Sequence, residues 1–377
     1  MTGRQHVRVL SVIGNLMVGG TESYVVRLAR EIRKYGVDME ICALELEGPL
    51  LKSLEESGVR VHGTPYASRS QQSNTLTLIR TVSAIRRIVA EGRFDIVHTY
   101  LFWSDVLGVS GARLAGCRRV IESRRSLHGW THTPSAFFHG LEQVTNLFAH
   151  EVIANSKVAL LDAQAHEPWL PRIRSVLYNG VDVEDYGPAR PRLNGPLRIV
   201  TVGVLAPRKG QEFAIEALAI LIRSGVDATL ALVGSGQDEP MLRRKASDAG
   251  IGDRVNFAGE QLDPRPYLAG ADLFLLPSRQ EGFSNALLEA MATALPVVAT
   301  DVGGNAEAFV DGEGGRLVPP QQPAAMAAAI AELAKDRSKL AEMGRVNRRR
   351  IAELYTLEAS ARNLARWYIG GRATPSV

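Results

Sequence analysis

The chain has 377 residues, of which 45% are apolar and 22% charged, a globular composition that excludes disordered and fibrous classes. Its length predicts two domains, or three. Two cysteines, Cys42 and Cys117, are too few for a disulfide framework or a cysteine-rich metal site, and they favour a reducing, cytoplasmic compartment. We expect neither a membrane-spanning helix nor a secretion signal, because the sequence shows no long apolar run and no cleavable leader.

The net charge is +4, too small to indicate a nucleic-acid partner by itself, and no groove-reading or base-stacking motif accompanies it. The excess lies mainly between residues 86 and 125, which contain eight arginines against four acids. This stretch is compatible with a phosphate-bearing partner or an anionic membrane, and equally with an ordinary solvated basic face.

Short β-branched runs alternate with helical stretches along the first half of the chain. This alternation predicts a parallel sheet covered by helices on both faces. The predicted elements, in order, are strand His6–Ile13, helix Thr21–Tyr35, strand Met39–Leu44, helix Leu76–Glu91, strand Ile96–Thr99, helix Ser104–Ala115, and strands Val120–Glu122 and Glu151–Ala154.

A Pro- and Gly-rich stretch at residues 187–196 is a candidate linker, after which the alternation restarts. We therefore predict an α/β fold of two doubly wound domains, residues 1–186 and 187–355, with ligands bound in a cleft at the strand ends. A C-terminal helix over 356–377 is expected to pack back on the N-terminal domain. The second series comprises strand Leu197–Val204, helix Gln211–Ser224, strands Ala228–Val233, Val255–Phe257 and Asp272–Leu276, helix Asn285–Ala294, strand Pro296–Ala299 and a helical tail from Pro323.

The segment over residues 271–307 contains the strongest functional pattern. A strand stops at Pro277, and Ser284 is a good N-cap for a helix that begins at Asn285. The first-turn N–H groups, from about Asn285 to Leu287, would favour an anion such as phosphate. Glu281 and Glu289 flank this position, where carboxylates suit sugar and ribose hydroxyls. Taken alone, the two acids would be better explained as an exposed loop acid and a solvated helix acid.

This segment, EGFSNALLEAMATALPVVATDVGG, resembles the signature of the family-4 retaining glycosyltransferases of the GT-B fold. Other motifs of that family follow in order along nearly the whole chain: GGTE at 19–22, DIVH at 95–98, ANS at 154–156, YNGVD at 178–182, RKG at 208–210 and VGSG at 233–236. The resemblance implies two facing Rossmann-like domains, with a nucleotide-sugar donor held by the C-terminal one.

The resemblance also implies roles for the residues of this segment. Glu281 would contact the donor sugar hydroxyls and Glu289 the ribose hydroxyls. The backbone of Gly282, Phe283 and Ser284 would lie near the sugar and phosphate.

Arg208 and Lys209 precede the helix at Gln211, where two cations can clamp a diphosphate. Solvated loop charges are the alternative interpretation. The family usually has an arginine directly after the glycine that corresponds to Gly203, but Val204 occupies that position here. We therefore expect Lys209 to be the more important of the two cations.

Gly19 and Gly20 lie between the first strand and its helix, where glycine allows a ligand to approach the backbone closely. The resemblance implies that they lie near the donor phosphate and the acceptor. A tight turn that requires positive φ is an equally good explanation. The GxGxxG and GxxxxGK[ST] motifs are both missing, so a nicotinamide cofactor and a P-loop are not expected.

Many family members place a histidine after the strand that corresponds to Val120–Glu122, close to the sugar. Here Arg124 and Arg125 come first, and His128 follows a few residues later. His128 is a candidate sugar contact, and the sequence alone does not decide between it and the two arginines. His98 ends a strand and is better explained as a buried structural residue.

The expected activity is retaining transfer of a sugar from a UDP- or GDP-sugar to a saccharide or lipid-linked acceptor. No cofactor or metal is expected, because no strand-end Asp-x-Asp pair is evident. Two rival hypotheses are a non-catalytic nucleotide-sugar-binding subunit and a GT-B-like sugar-nucleotide epimerase.

Basic amphipathic stretches at 77–90 and 136–151 suggest peripheral contact with an anionic membrane, although core packing of their apolar faces is favoured.

Overall fold

The computed structural model describes residues 6–67, 75–128, 136–189, 192 and 194–370. The chain forms two compact units. The first contains the chain up to Asn179 and again from Leu357, and the second spans Gly180–Thr356. The division therefore falls at Gly180, a little before the linker predicted at 187–196, and the C-terminal helix belongs to the first unit.

The first unit is built on a seven-stranded sheet in which every strand pair is parallel. The strands are β1 Val7–Ile13, β2 Val37–Ala43, β3 Val61–Gly63, β4 Ile96–Tyr100, β5 Arg119–Arg124, β6 Glu151–Ala154 and β7 Ile173–Val176. Their order across the sheet is β3-β2-β1-β4-β5-β6-β7. Strands β1, β2 and β4–β6 were predicted, whereas the edge strands β3 and β7 were not.

Helices connect these strands and bury their apolar faces on the sheet. The functional candidates of this unit follow the carboxyl ends of β1 and β5. Because the carboxyl ends of parallel strands lie at the same edge of a sheet, these candidates share one edge. The helices are α1 Gly20–Glu31, α2 Leu50–Glu56, α3 Thr75–Gly92, α4 Phe102–Leu114, α5 Ala136–Phe148 and α6 Lys157–His166. The predicted helix over 21–35 ends in a 3₁₀ turn, Ile32–Tyr35, which closes with Gly36 at φ 76°.

The second unit is built on a six-stranded parallel sheet. The strands are β8 Leu197–Val202, β9 Ala228–Val233, β10 Val255–Gly259, β11 Leu273–Leu276, β12 Val297–Thr300 and β13 Gly315–Val318. Their order across the sheet is β10-β9-β8-β11-β12-β13, and the central strands β8, β11 and β12 are almost entirely buried, as expected for a parallel sheet covered on both faces. The helices are α7 Gln211–Arg223, α8 Glu239–Asp248, α9 Arg265–Ala269, α10 Asn285–Ala292, α11 Asn305–Ala308, α12 Pro323–Ala334 and α13 Arg337–Leu354.

The last helix, α14 Leu357–Ile369, completes the core of the first unit. The indole Nε1 of Trp367 donates to Glu151 Oε2 at 2.6 Å, and Ser360 Oγ lies 2.7 Å from the hydroxyl of Tyr24 in α1. Arg119 donates to the carbonyl oxygens of Trp367 and Tyr368. Hydrogen bonds and apolar packing thus tie the end of the chain to its beginning.

The apolar face of α3 belongs to the core rather than to a surface. Ile85 and Val89 are buried, and Leu78 and Val82 pack against the same cluster. The favoured explanation of this amphipathic stretch is therefore confirmed. In α5 the side chains of Phe137 and Phe138 lie outside the described residues, whereas Phe148 is 51% exposed. Among the described helices, none combines the length and apolarity needed to cross a bilayer.

Candidate active site

The loop between β11 and α10 forms the centre of the candidate site in the second unit. As predicted, Ser284 caps α10: its Oγ accepts the backbone N–H of Leu287 at 3.3 Å. Leu287 was expected to offer its N–H to a ligand, but the cap already uses it. The positive end of the helix dipole therefore falls at the first residues of α10, where an anion is favoured.

Close backbone contacts hold this loop in place, and glycine is required at two of them. Gly210 has φ 63°, and a Cβ there would lie 2.3 Å from the carbonyl oxygen of Pro277. Gly303 has φ 54°, and its Cβ would lie 1.8 Å from the carbonyl oxygen of Glu281. Gly304 N also donates to the Gly282 carbonyl at 2.8 Å. The loop is thus fixed on both sides by backbone contacts that no side chain could occupy.

Lys209 and Glu281 form a buried ion pair at the base of the loop. Lys209 Nζ donates to Glu281 Oε1 at 2.6 Å, and Ser278 Oγ donates to the same oxygen at 2.6 Å. Burial alone would raise the pKa of Glu281, but Lys209, Arg208 and the two hydrogen bonds together hold it below the ordinary value. Burial lowers the pKa of Lys209, and Glu281 opposes this shift. The pair presents one cation and one anion within a single small site.

Arg208 lies beside this pair and has a separate role in the loop. Its carbonyl oxygen accepts the backbone N–H of Arg279 at 2.9 Å, which joins the 207–209 turn to the 277–284 loop. Its guanidinium acts electrostatically on Lys209 and Glu281 and makes no hydrogen bond within the described part of the chain. Arg208 is thus placed to contribute positive charge to the same site.

Arg279 was not identified from the sequence, and neither was Ser278. Arg279 donates to Glu212 at 2.5 Å and its guanidinium lies 4.8 Å from the ring centre of Phe213, so it links the loop to α7. Ser278 lies three residues before Glu281 and positions that carboxylate. Its position three residues before a functional glutamate is the sequence signal by which Ser278 could have been identified.

The remaining predicted donor-binding residues also lie around α10. Asn285 and Glu289 are largely buried on the helix, one turn apart. The ring of Phe283 is buried against Tyr355, with 5.3 Å between the centroids, and this contact holds the backbone that precedes Ser284. Val204, at the position where the family has an arginine, is 43% exposed. The second unit therefore gathers most of the predicted residues in one place.

In the first unit, Gly19 and Gly20 stand at the N-terminus of α1. Gly19 has φ −135°, and Gly20 also lacks a positive φ, so the tight-turn explanation for this pair is wrong. A Cβ on Gly19 would lie 2.2 Å from Oε2 of Glu22, which folds back over the first turn. The glycine at residue 19 therefore permits the close approach of the Glu22 carboxylate to the backbone, and it is not required for an unusual backbone angle.

Arg124, the last residue of β5, is the centre of a buried ionic cluster. Its guanidinium donates to Glu167 at 2.8 Å, to Glu122 at 3.1 Å and to Asn146 at 2.6 Å, and Asp105 lies at 3.4 Å. Burial would lower the pKa of Arg124, but the surrounding carboxylates raise it well above its usual range. These contacts occupy the guanidinium in packing β5 against α4, α5 and α6.

Arg125 points elsewhere, as successive residues of an extended segment do. Its Nε donates to Thr21 Oγ1 at 3.2 Å and its Nη2 to Asn179 Oδ1 at 2.8 Å. It lines a small cavity, with room for about one water molecule, that Tyr24, His98 and Tyr100 also line. Arg125 therefore lies next to α1 and its Gly19–Gly20 turn.

His98 is buried, and the structure confirms it as a structural residue. Its Nδ1 lies 2.6 Å from the hydroxyl of Tyr368, and its Nε2 lies 2.8 Å from that of Ser123. Burial lowers the pKa of His98 to about 3, and Arg125 and Arg119 add to the shift. The imidazole is therefore neutral and links β4, β5 and α14.

His128 lies against α6. Its backbone N–H donates to Asp162 at 2.5 Å, and its ring stacks on His166 with 4.8 Å between centroids. Its proposed contact with a sugar stays a prediction. Of the three residues left open by the sequence, Arg125 is the one that the structure places beside α1.

Comparison with known proteins identifies the family of this chain. The Glycosyltransferase Family 4 model matches residues 18–185, and the Glycosyl transferases group 1 model matches residues 196–336. A GDP-mannose-dependent alpha-(1-6)-phosphatidylinositol monomannoside mannosyltransferase of Mycobacterium tuberculosis is 30% identical over 314 residues, which cover 77% of this chain and 79% of that protein. A D-inositol 3-phosphate glycosyltransferase of Thermobispora bispora is 29% identical over 96% of this chain and 92% of its own length.

A solved structure shows the same fold. HepE of Anabaena, determined in complex with UDP and glucose, matches with a TM-score of 0.83 and 22% identity, over 97% of this chain and all of its own. The two parallel sheets correspond to the two Rossmann-like domains of the GT-B fold. The chain belongs to the GT-B glycosyltransferases of family 4, the glycosyl transferases group 1.

Proposed function

We propose that this glycosyltransferase binds a UDP- or GDP-sugar in its second unit and transfers the sugar, with retention of configuration, to a saccharide or lipid-linked acceptor. The observation that supports this most directly is the buried Lys209–Glu281 pair beside the N-terminus of α10. It places one cation suited to a diphosphate and one carboxylate suited to sugar hydroxyls within a few ångströms of each other.

In the proposed reaction the bond between the sugar C1 and the diphosphate oxygen breaks, and C1 bonds to the acceptor oxygen. The proton of the acceptor hydroxyl passes to the departing diphosphate. Lys209, Arg208 and the dipole of α10 would stabilise the negative charge that develops on this leaving group. Glu281 would hold the sugar and Glu289 the ribose, while Gly282, Phe283, Ser284 and Asn285 would line the donor.

The names of the relatives favour a transferase over a non-catalytic subunit or an epimerase. The M. tuberculosis relative is named for transfer of mannose from GDP-mannose to a phosphatidylinositol mannoside, and the T. bispora relative for glycosyl transfer to an inositol phosphate. We infer an acceptor of the same broad chemistry and a reaction on the cytoplasmic side. We also infer that no metal is required, so activity should persist in EDTA.

A screen of nucleotide sugars by thermal shift tests the donor site. A true donor at a hundredfold excess over its dissociation constant should stabilise the protein by about 2.7 kcal/mol. Glu289→Ala should weaken the response to the free nucleotide, whereas Glu281→Ala should mainly impair sugar discrimination and turnover. If both variants respond like the wild type, the site is misassigned.

Contact with an anionic membrane stays a separate prediction. Its motivation is the arginine excess over 86–125, although Arg124 lies in the core and the apolar face of α3 is buried. Flotation with phosphatidylglycerol vesicles at low and high salt provides the test. Absence of binding at low salt would exclude this contact.

A further inference from the structure

Arg125 is a half-buried cation whose hydrogen-bond partners among the described residues are neutral. Its guanidinium donates to the Thr21 hydroxyl and the Asn179 amide oxygen, and it lies 4.7 Å from the ring centre of Tyr24 and 5.9 Å from that of Tyr100. No carboxylate among the described residues comes within 4.0 Å of it. Burying a charge without an opposite charge is costly, so this arrangement requires an explanation.

Three other buried or half-buried arginines of this chain show the usual arrangement, with carboxylate partners. Arg119 pairs with Glu151 at 2.6 Å and Arg198 with Asp272 at 2.6 Å. Arg124, the immediate neighbour of Arg125, is surrounded by three acids. The fold thus supplies counter-charges to these three arginines, whereas no carboxylate of the described residues forms an ion pair with Arg125. Burial consequently lowers the pKa of Arg125, which Tyr24, Tyr100 and Glu22 only partly offset.

The surroundings of Arg125 reinforce this contrast. His98 is neutral and fully engaged with Tyr368 and Ser123, so it supplies no negative charge. Glu22 acts on Arg125 only at a distance, because its carboxylate is folded back over Gly19 in the first turn of α1.

We propose that Arg125, with Thr21 and the first turn of α1, binds a phosphate group carried by the acceptor. The planar guanidinium suits bidentate contact with phosphate oxygens, and a hydroxyl beside it can donate a further hydrogen bond. A phosphate would provide the directly paired counter-charge that Arg125 lacks among the described residues. Describing the ligand as an acceptor rests on the proposed glycosyl transfer, whereas the phosphate site itself does not.

Calorimetric titration of inorganic phosphate into the full-length protein, in phosphate-free buffer at low ionic strength, tests the site. Arg125→Gln should weaken the phosphate binding at this site at least tenfold, and Arg125→Lys should weaken it less. Arg366→Gln, at an exposed arginine of α14 in the same unit, is the matched control and should bind like the wild type. Equal phosphate binding by wild type and Arg125→Gln would overturn the proposal.

Thermal melting separates a binding role from a structural one. If Arg125 is held in place for a ligand, Arg125→Gln removes an uncompensated buried charge, and the melting temperature without phosphate should stay equal or rise. A melting temperature well below that of Arg366→Gln would show that the arginine serves the fold and would contradict the proposal.

Binding of UDP and GDP to the same variants identifies the source of the phosphate. Unchanged nucleotide affinity in Arg125→Gln, together with lost phosphate binding, supports an acceptor phosphate. A tenfold or greater loss of nucleotide affinity would assign Arg125 to the donor diphosphate and overturn the acceptor assignment. If the wild type binds no nucleotide, the proposed transfer fails, while the phosphate titration still decides the site.

Discussion

At the scale of single residues, the Lys209–Glu281 pair shows how a binding site can be stable before it binds anything else. Each side chain was expected to contact a different part of a donor, yet in the structure the two contact each other. Both are largely buried, and a buried charge must find a partner. A diphosphate and a sugar would therefore have to replace a contact that already stabilises the fold.

We predict that Lys209→Met destabilises the protein, by about 3 kcal/mol, because it leaves Glu281 buried without its cation. The double variant Lys209→Met, Glu281→Gln should recover part of that loss, since no unpaired charge remains. Chemical denaturation of the wild type, both single variants and the double variant gives the coupling free energy. Strictly additive effects would contradict a direct interaction between the two side chains.

The free energy of unfolding at acidic pH gives an independent check on the same pair. The pKa of Glu281 is below its ordinary value, so its contribution is present above the unfolded-state pKa and is lost as the pH falls through the folded-state pKa. Glu281→Gln should therefore flatten the loss of stability on the acid side of about pH 4.5.

At the scale of secondary structure elements, the buried cluster around Arg124 joins β5 to three helices. Asp105 is on α4, Asn146 on α5, and Glu167 follows α6. Three acids share one guanidinium, so not all of them can be ionised cheaply. The pKa of Glu122 is raised to about 7, mainly by burial and also by Glu167, against the opposing effect of Arg124. The pKa of Asp105 is raised too, mainly by burial and then by Glu122.

This cluster should make stability fall as the pH rises towards neutrality. A carboxyl whose pKa is raised on folding binds more protons in the folded state, so stability decreases between the ordinary pKa of 4.5 and about 7. Glu122→Gln should remove much of that decline, whereas Glu91→Gln, at an exposed acid of α3, should not. Denaturant midpoints measured from pH 4.5 to 8 provide the comparison, and parallel curves for the wild type and Glu122→Gln would refute the assignment.

The order of elements around the site could be predicted from the sequence because its signals are local. Ser284, Asn285 and the apolar run behind them predict the capped helix by composition alone. Strands β3 and β7 were missed because they are short edge strands with few buried residues. The sequence also could not show which of the two arginines, Arg124 or Arg125, lies among the buried acids. Alternation places the two side chains on opposite faces, but only the packing of α4, α5 and α6 decides which face contains the acids.

At the scale of the whole molecule, the chain crosses from one unit to the other twice, at Gly180 and at Leu357. The return of α14 to the first unit depends on contacts more than 200 positions apart in sequence, such as Trp367 with Glu151. No local pattern encodes such a pairing. The candidate residues therefore divide between units: most of the donor group in the second, and Gly19, Gly20, Arg125 and His128 in the first.

This division predicts where each ligand should protect the backbone from hydrogen exchange. In the full-length protein, UDP or GDP should slow amide exchange over 207–211 and 277–292, because Lys209 and α10 belong to the second unit. Inorganic phosphate at concentrations that saturate the Arg125 site should slow exchange over 19–24 in the first turn of α1, and Arg125→Gln should abolish that effect without changing nucleotide protection. Mass spectrometry of the labelled peptides reads both regions in one experiment. Nucleotide protection confined to the first unit would contradict the donor assignment, since the residues proposed to grip the diphosphate lie in the other unit.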